Sequence, residues 1–287
     1  MSAPRSDSKI ALLDGDSWVY RCAAAAEKTY YLVTLSGISD SGPFAHGNLY
    51  DNYRDAKKEA DNIDCTIWSR KEIEPLENCL QMVKSSLENT LNVLGISDYR
   101  LYISGRGNFR SELFPDYKAN RETVAKPKYY RDVREYLVRN WGAVVVNGME
   151  ADDAIGIDAT ELGQRSIVVG VDKDLNQIPG NHYDWVLGEQ YTVSAKQGMT
   201  FFYEQLLSGD PTDNIKGLDG IGPVRAKKAL FDARSPREMA QLAYDLYAEQ
   251  LGHAPDATLD LNATLLWIKR KKSDSHPLWR HLGRERT

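Results

Sequence analysis

Three cysteines occur in 287 residues, Cys22, Cys65 and Cys79, and they are far apart with no CxxC spacing. An odd, scattered set of this kind argues against a disulfide framework or a zinc site and fits a reducing cytosol. No apolar run approaches the ~18 residues that a membrane span requires, and the opening MSAPRSDSKI has no apolar signal core. The expectation is a soluble, cytoplasmic protein, in whatever cell makes it, with no membrane partner. Neither a GxxxxGKS/T nor a GxGxxG pattern is present, so nucleotide-cofactor readings lose support. There is no internal repeat and no low-complexity tract.

What is present is ordinary globular material, 42% apolar and 27% charged, long enough to bury a sizeable core. The formal charge of −5 argues against a nucleic-acid partner only if distribution is ignored. Between Arg106 and Arg134 there are eight Lys/Arg against four Asp/Glu, whereas the carboxylates collect in short clusters elsewhere.

Those clusters follow strand-like segments. KIALL (9–13) leads into DGD, RLYIS (100–104) leads into a Gly-rich turn, and SIVVGVD (166–172) leads into DKD. AVVVNG (143–148) reads as another strand, followed by the helix EADDAIGIDATEL. Apolar residues from Lys71 to Leu94 recur at helical spacing, with Gly95 as a stop. Strands alternating with helices predict an α/β domain over 1–190, with a central, mostly parallel sheet flanked by helices. After about Gln190 the texture becomes helical and Gly-punctuated, which predicts a second region over 191–287. Residues 30–68 read as a hairpin or irregular insertion.

The acids form four clusters: Asp14 and Asp16; Glu150, Asp152 and Asp153; Asp172 and Asp174; Asp210 and Asp213. Each alone has an ordinary explanation, as a helix N-terminus, a turn or a cap. Ligands of a parallel sheet gather at the carboxyl ends of its strands, so together the clusters predict one acidic pocket. Hard oxygen donors without nearby His or Cys select Mg²⁺ or Mn²⁺, and two such ions activate a water and stabilise the leaving oxygen of a phosphodiester. In NFRSELFPDYKANR (108–121), Arg110, Lys118 and Arg121 are interleaved with aromatics, and Lys126, Lys128, Arg131 and Arg134 extend the basic stretch. Such a patch is either solvated surface or, beside an acidic metal pocket, a grip on phosphate. GLDGIGPVRAKKAL (217–230) offers backbone N–H groups at a Gly-Ile-Gly turn between short helices, with Arg225, Lys227 and Lys228 behind them.

In this order, LLDGDSWVY, NFRSELFPDYKANR, NGMEADDAIG, GVDKDLNQIPG and SGDPTDNIKGLDGIGPVRAKK resemble the 5′→3′ exonuclease and flap endonuclease family, most nearly its phage-encoded members. The resemblance covers most of 9–230. It implies a PIN-like 5′-nuclease domain followed by a helix-three-turn-helix, and structure-specific hydrolysis near 5′ ends of DNA, or of RNA in hybrids, at nicks and flaps. It implies a first metal site at Asp14, Glu150, Asp152 and Asp153, with Asp16 beside it. Asp172, Asp174, Asp210 and Asp213 would form the second. Asp14, Asp153, Asp172, Lys118 and Arg121 fall on catalytic positions, the last two as phosphate-steering cations. Tyr20 falls where an aromatic stacks on a base. Gly217, Gly220 and Gly222 match the duplex-holding turn, where K⁺ is often bound.

One departure stands out: after RLYIS the family usually has a first-site aspartate, and here Gly105 takes that position. Two alternatives therefore stand beside the nuclease: a DNA-structure-binding protein with weak or no catalysis, and a haloacid-dehalogenase-type phosphatase, suggested by DGDSW.

Overall fold

A computed structural model describes residues 9–35, 48–61, 65–121, 124–252 and 255–284. In chain order its elements are β1 (Ile10–Asp14), α1 (Gly15–Ala25), β2 (Glu27–Leu35), β3 (Asn48–Tyr50), α2 (Tyr53–Ala60), β4 (Cys65–Ile73), α3 (Leu76–Leu94), β5 (Asp98–Asn108), α4 (Phe109–Leu113), α5 (Tyr130–Trp141), β6 (Val144–Gly148), α6 (Ala151–Leu162), β7 (Ser166–Val169), β8 (Gly180–Asp184), β9 (Glu189–Val193), α7 (Ala195–Ser208), α8 (Pro223–Ala229), α9 (Pro236–Leu251), α10 (Asp256–Leu266) and α11 (Leu278–Leu282). The chain divides into two compact units, one comprising Met1–Ser17, Ser86–Ala125 and Leu137–Thr287, the other Trp18–Ser85 and Lys126–Tyr136. This differs from a linear boundary near 190, because the C-terminal helices share a unit with the sheet.

That sheet has the strand order β6-β5-β1-β7-β8-β9. All neighbours are parallel except β8 and β9, so the edge alone is antiparallel. The central strands are apolar on both faces: Leu12 and Leu13 of β1 are fully buried, as is every residue of SIVV in β7. From β1 the chain builds outward through β5 and β6, then returns to the other side of β1 as β7. The order thus reverses between β1 and β7, where open α/β sheets form a crevice at the carboxyl ends of the strands. Helix α6 packs close because its buried face is largely small: Ala151, Ala154, Gly156 and Ala159.

The sheet extends past Gln190, as β9 runs to Val193. The helices beyond it bury a core of Phe202, Tyr203, Leu206, Tyr247, Leu259 and Trp267, among others. In the second unit, the expected insertion is a three-stranded antiparallel sheet, β3-β2-β4, with β2 and β4 paired along nine residues. Helix α2 adds the fully buried Ala56 and an edge-on ring contact between Tyr53 and Tyr31. Residues 36–47 and 62–64 of this insertion lie outside the described residues. The helix expected from Lys71 starts only at Leu76, because 71–73 pair with β2.

Gly105 sits where β5 shifts register against β6, between Ser104 and Asn108. Its φ is not left-handed. A Cβ there would lie 2.3 Å from Asn147 Oδ1 and 2.6 Å from the Val146 carbonyl, so glycine is required by the approach of β6. A carboxylate at 105 has no room beside this backbone. Gly105→Ala should therefore destabilise the protein by about 1–3 kcal/mol, the usual cost of overpacking, read as a lowered denaturation midpoint in urea. Unchanged stability would mean that β6 is free to move away.

Candidate active site

Asp14 ends β1 in the crevice and is only 4% exposed. Its carboxylate accepts the Asp16 amide at 3.1 Å, and its main-chain oxygen accepts the Ser17 hydroxyl at 2.7 Å. Gly170, after β7, leaves it space, since a Cβ there would lie 3.2 Å from the Asp14 Cβ. Burial, then the charges of Asp16 and Asp172, push the Asp14 pKa up to about 7. Asp152, on the first turn of α6, is held well above the usual carboxylate range by burial, then by Asp14, Asp172 and Glu150. Asp16 accepts the Ser104 amide at 2.9 Å, which ties the start of α1 to β5.

A second group follows β7. Asp172 caps the next short helix through the Asp174 amide at 2.9 Å. Asp174 is raised to about 7, by burial first and then by Asp172 and Asp210. Lys173, between them in sequence, reaches Asp210 at 2.9 Å. Burial would raise Asp210, but the Lys173 bond and charge and the Thr212 amide outweigh it, and its pKa is lowered.

The third group joins Glu150 and Asp213. Tyr117 Oη lies 2.9 Å from Asp213 Oδ2 and 3.2 Å from Glu150 Oε2. Lys118 Nζ pairs with Glu150 and lies 3.4 Å from Asp213, while Arg121 pairs with Asp213 and bonds the Thr212 carbonyl at 3.1 Å. Lys118 holds a left-handed φ of 59°, unusual for a side-chain-bearing residue, and its amide is anchored on the Asp213 carbonyl at 3.0 Å. Asn108 adds a 2.9 Å bond to Glu150.

Two expectations are corrected. Asp153 is fully buried, and its carboxylate is occupied: Arg110 bonds both oxygens at 2.6 and 2.9 Å, the Lys269 amide donates at 3.0 Å and the Glu150 amide at 3.1 Å. Burial would raise its pKa, but the Arg110 bonds and charge win and lower it. Such a carboxylate has no oxygen left for a cation. Arg110 is 2% exposed and also bonds the Leu265 and Trp267 carbonyls, so it cannot meet DNA.

The other expected DNA contacts fall elsewhere. Tyr20 on α1 is exposed and belongs to the second unit, as do Lys126 and Lys128, which lie over the rings of Tyr130 and Tyr129. In the first unit, Gly217 packs against the end of α7, Gly220 has φ 75°, and Gly222 caps α8. The turn follows a two-residue bridge at 215–216, not a short helix. Arg225, Lys227 and Lys228 are exposed, with Arg225 bonding the Gly220 carbonyl at 2.7 Å. The sequence offered Tyr117 only as an aromatic among the cations and assigned no site role to Lys173, Asn108 or Gln205, the last of which donates to Asp174 at 2.7 Å. Tyr117, Lys173 and Asn108 sit inside quoted motifs; Gln205 carries no sequence signal.

Among the described residues no three acids, histidines or cysteines are already arranged as a metal cage. The donor set nonetheless fits hard divalent cations: carboxylates only, crowded enough that Asp14 and Asp174 keep protons up to about pH 7.

The model of the family described as 5′-3′ exonuclease, N-terminal resolvase-like domain, matches residues 9–203. The exodeoxyribonuclease of Enterobacteria phage T3 is 28% identical over 123 residues, 40% of this chain and 41% of its own. DNA polymerase I of Chloroflexus aurantiacus is 30% identical over 171 residues, 51% of this chain and 17% of its own. The match thus spans less than half the length of either relative. Among solved structures, the phage T5 flap endonuclease in a complex with DNA and metal ions superposes with a TM-score of 0.58 at 13% identity, covering 96% of this chain and 92% of that one. The T5 5′-exonuclease with zinc bound gives 0.53 at 14%, covering 91% and 99%. At such identities the likeness is one of fold.

Arg110→Met would leave Asp153 buried without its cation, and stability should fall by about 3–5 kcal/mol in a denaturant titration. A loss under about 1 kcal/mol would mean that the pair is not what holds this corner. A second expectation concerns pH. Asp14 and Asp174 keep protons up to about 7 in the folded protein, whereas in the unfolded chain they release them near about 4. Folding binds protons between those values, so metal-free stability falls as pH rises toward about 7 and then levels off. Melting temperatures in chelator should be higher near about pH 5 than near about pH 8, and saturating Mg²⁺ should reverse the order, because the cation binds the ionised carboxylates. A flat chelator profile would contradict the crowding.

Proposed function

The chain belongs to the 5′-3′ exonuclease family, and on that premise we propose that it is a divalent-metal-dependent nuclease acting near 5′ ends of DNA, at nicks and flaps. The observation that carries this reading is the convergence of Asp14, Asp152 and Asp172 at the switch point of the sheet, close enough that neighbouring carboxylates add to burial in raising Asp14 and Asp152. Asp14, Asp16, Asp152 and Glu150 would hold one cation, and Asp172, Asp174, Asp210 and Asp213 a second, in part through water. Oxygen-only donors favour Mg²⁺ or Mn²⁺. When bound, the ions supply the positive charge that activates a water and stabilises the leaving oxygen.

The chain's own residues do the rest. Asp14 and Asp172 shape the cation positions, and Asp14, whose pKa is raised, surrenders its proton on loading. With the acids neutralised, Lys118 and Arg121 offer their donors to the scissile phosphate, Arg121 in bidentate fashion. Tyr117 keeps Glu150 and Asp213 in register through one hydroxyl. Arg225, Lys227 and Lys228 grip the duplex backbone without reading bases, with K⁺ at the Gly217–Gly222 turn. The RNA strand of a hybrid fits the same chemistry. Three free cysteines support work in a reducing cytoplasm, of the host if the gene is a phage's.

The non-catalytic reading keeps one supporting observation: Gly105 leaves no place for the carboxylate usual in the family. The phosphatase alternative leaves the family match unexplained. The test is to incubate 5′- and 3′-labelled duplex, nicked and flapped DNA with Mg²⁺ or Mn²⁺ and compare product lengths. Wild type should release short 5′-phosphorylated products. Asp14→Asn and Asp172→Asn should each slow cleavage on the order of a hundredfold or more while duplex affinity persists. Binding without any cleavage by wild type would favour the non-catalytic reading.

A further inference from the structure

Residues 265–270 follow the family-matched part of the chain, yet they bond Asp153 and its partner Arg110 directly and reach Asp174 through Gln177 and Gln205. The Leu265 and Trp267 carbonyls accept from Arg110 at 2.8 and 2.7 Å, and the Lys269 amide donates to Asp153 at 3.0 Å. These fix the first turn of α6, which bears Asp152 and is capped by Glu150. The same segment holds Gln177 three ways: the Leu266 carbonyl accepts its Nε2 at 2.7 Å, the Ile268 amide donates to its Oε1 at 3.1 Å, and Arg270 bonds its carbonyl at 2.6 Å. The contact is close enough that a Cβ on Gly156 of α6 would lie 2.5 Å from the Lys269 carbonyl.

From Gln177 the order of donors and acceptors is forced. Its Oε1 must face the Ile268 N–H and its Nε2 the Leu266 carbonyl, because a backbone N–H only donates and a carbonyl only accepts. Its Nε2 also donates to Gln205 Oε1 at 2.8 Å, which turns the Gln205 amide nitrogen toward Asp174 Oδ1 at 2.7 Å. Both glutamines are buried, at 1% and 5% exposure, so neither is free to flip without orphaning a partner.

We propose that residues 265–270 are a brace that registers the two acid groups against each other, with Gln177 and Gln205 as positioning residues that hold the Asp174 carboxylate for its cation. This rests on the metal role proposed above for Asp174. A carboxylate ligand with one oxygen tied to a fixed donor loses its rotation before the cation arrives, and partners of this kind typically contribute about 10–100-fold in metal affinity.

The experiment is calorimetric titration of Mn²⁺ into the full chain without DNA, with melting temperatures measured in chelator and in Mn²⁺. Gln205→Met, which fills the space but cannot donate, should weaken the Mn²⁺ dissociation constant about tenfold or more and shrink the metal-induced rise in melting temperature. Gln205→Asn, one methylene short of Asp174, should act in the same direction. Leu259→Ala, in the buried helical core, should lower the chelator melting temperature and leave the Mn²⁺ constant within about twofold, which separates positioning from general loosening. If wild type binds Mn²⁺ and cleaves DNA while Gln205→Met binds Mn²⁺ equally well, the brace is overturned and the nuclease reading stands. A wild type that neither binds Mn²⁺ nor cleaves overturns both.

Discussion

Carboxylates crowded at the end of a parallel sheet repel one another, and the first unit is organised around that repulsion. The chain answers it in three ways. Where a cation is available within the fold, the acid is neutralised and buried, as Asp153 is by Arg110 and Asp210 by Lys173. Where the cation comes from a flexible side chain, as with Lys118 and Arg121 on Glu150 and Asp213, the pair is partly exposed and exchangeable. Where burial and neighbouring carboxylates outweigh any nearby cation, at Asp14, Asp152 and Asp174, the acid retains its proton beyond the usual range. On the proposed metal role, that last set is where a divalent ion would gain most, since it would replace a proton that the neighbours already disfavour losing.

The EADD motif shows how finely the division is drawn. Asp152 and Asp153 are adjacent, but successive residues on a helix point about 100° apart. One turns toward Asp14 and Asp172, the other into the interior against a guanidinium. Their pKa values move in opposite directions for that reason alone. The same geometry links charge to stability: the buried Arg110–Asp153 pair fixes the turn of α6 that carries Asp152.

Much of the architecture was legible in the sequence because it rests on local pattern. Continuous apolar runs gave β1 and β7, a capped helix followed β6, and acids at strand ends marked the carboxyl edge of the sheet. The sheet of the second unit was legible only as a hairpin or irregular insertion, because its strands, such as CTIWSRKEI, are mostly exposed and leave no clean alternation. The limit near residue 190 failed for a related reason: composition changes there, but packing does not, and β9 continues the sheet.

Residue types and their order determined the chemistry of this chain: oxygen donors without His or Cys, basic side chains in a run with aromatics, a glycine turn followed by cations. Those are properties of side chains, and they survive without a fold. Tertiary structure decided which members of each set are free to use them. Arg110 and Asp153 bear the right groups for phosphate and metal, but Arg110 finds its carbonyl partner 155 residues away, at Leu265, and both are sealed in the core. Gly105 marks a position where a carboxylate would be useful, and the backbone of β6 fills the space it would need. Gln205 bears nothing distinctive and yet contacts Asp174. A sequence lists what each side chain can bond, whereas only packing brings distant partners within the 3 Å at which a hydrogen bond forms and keeps others apart.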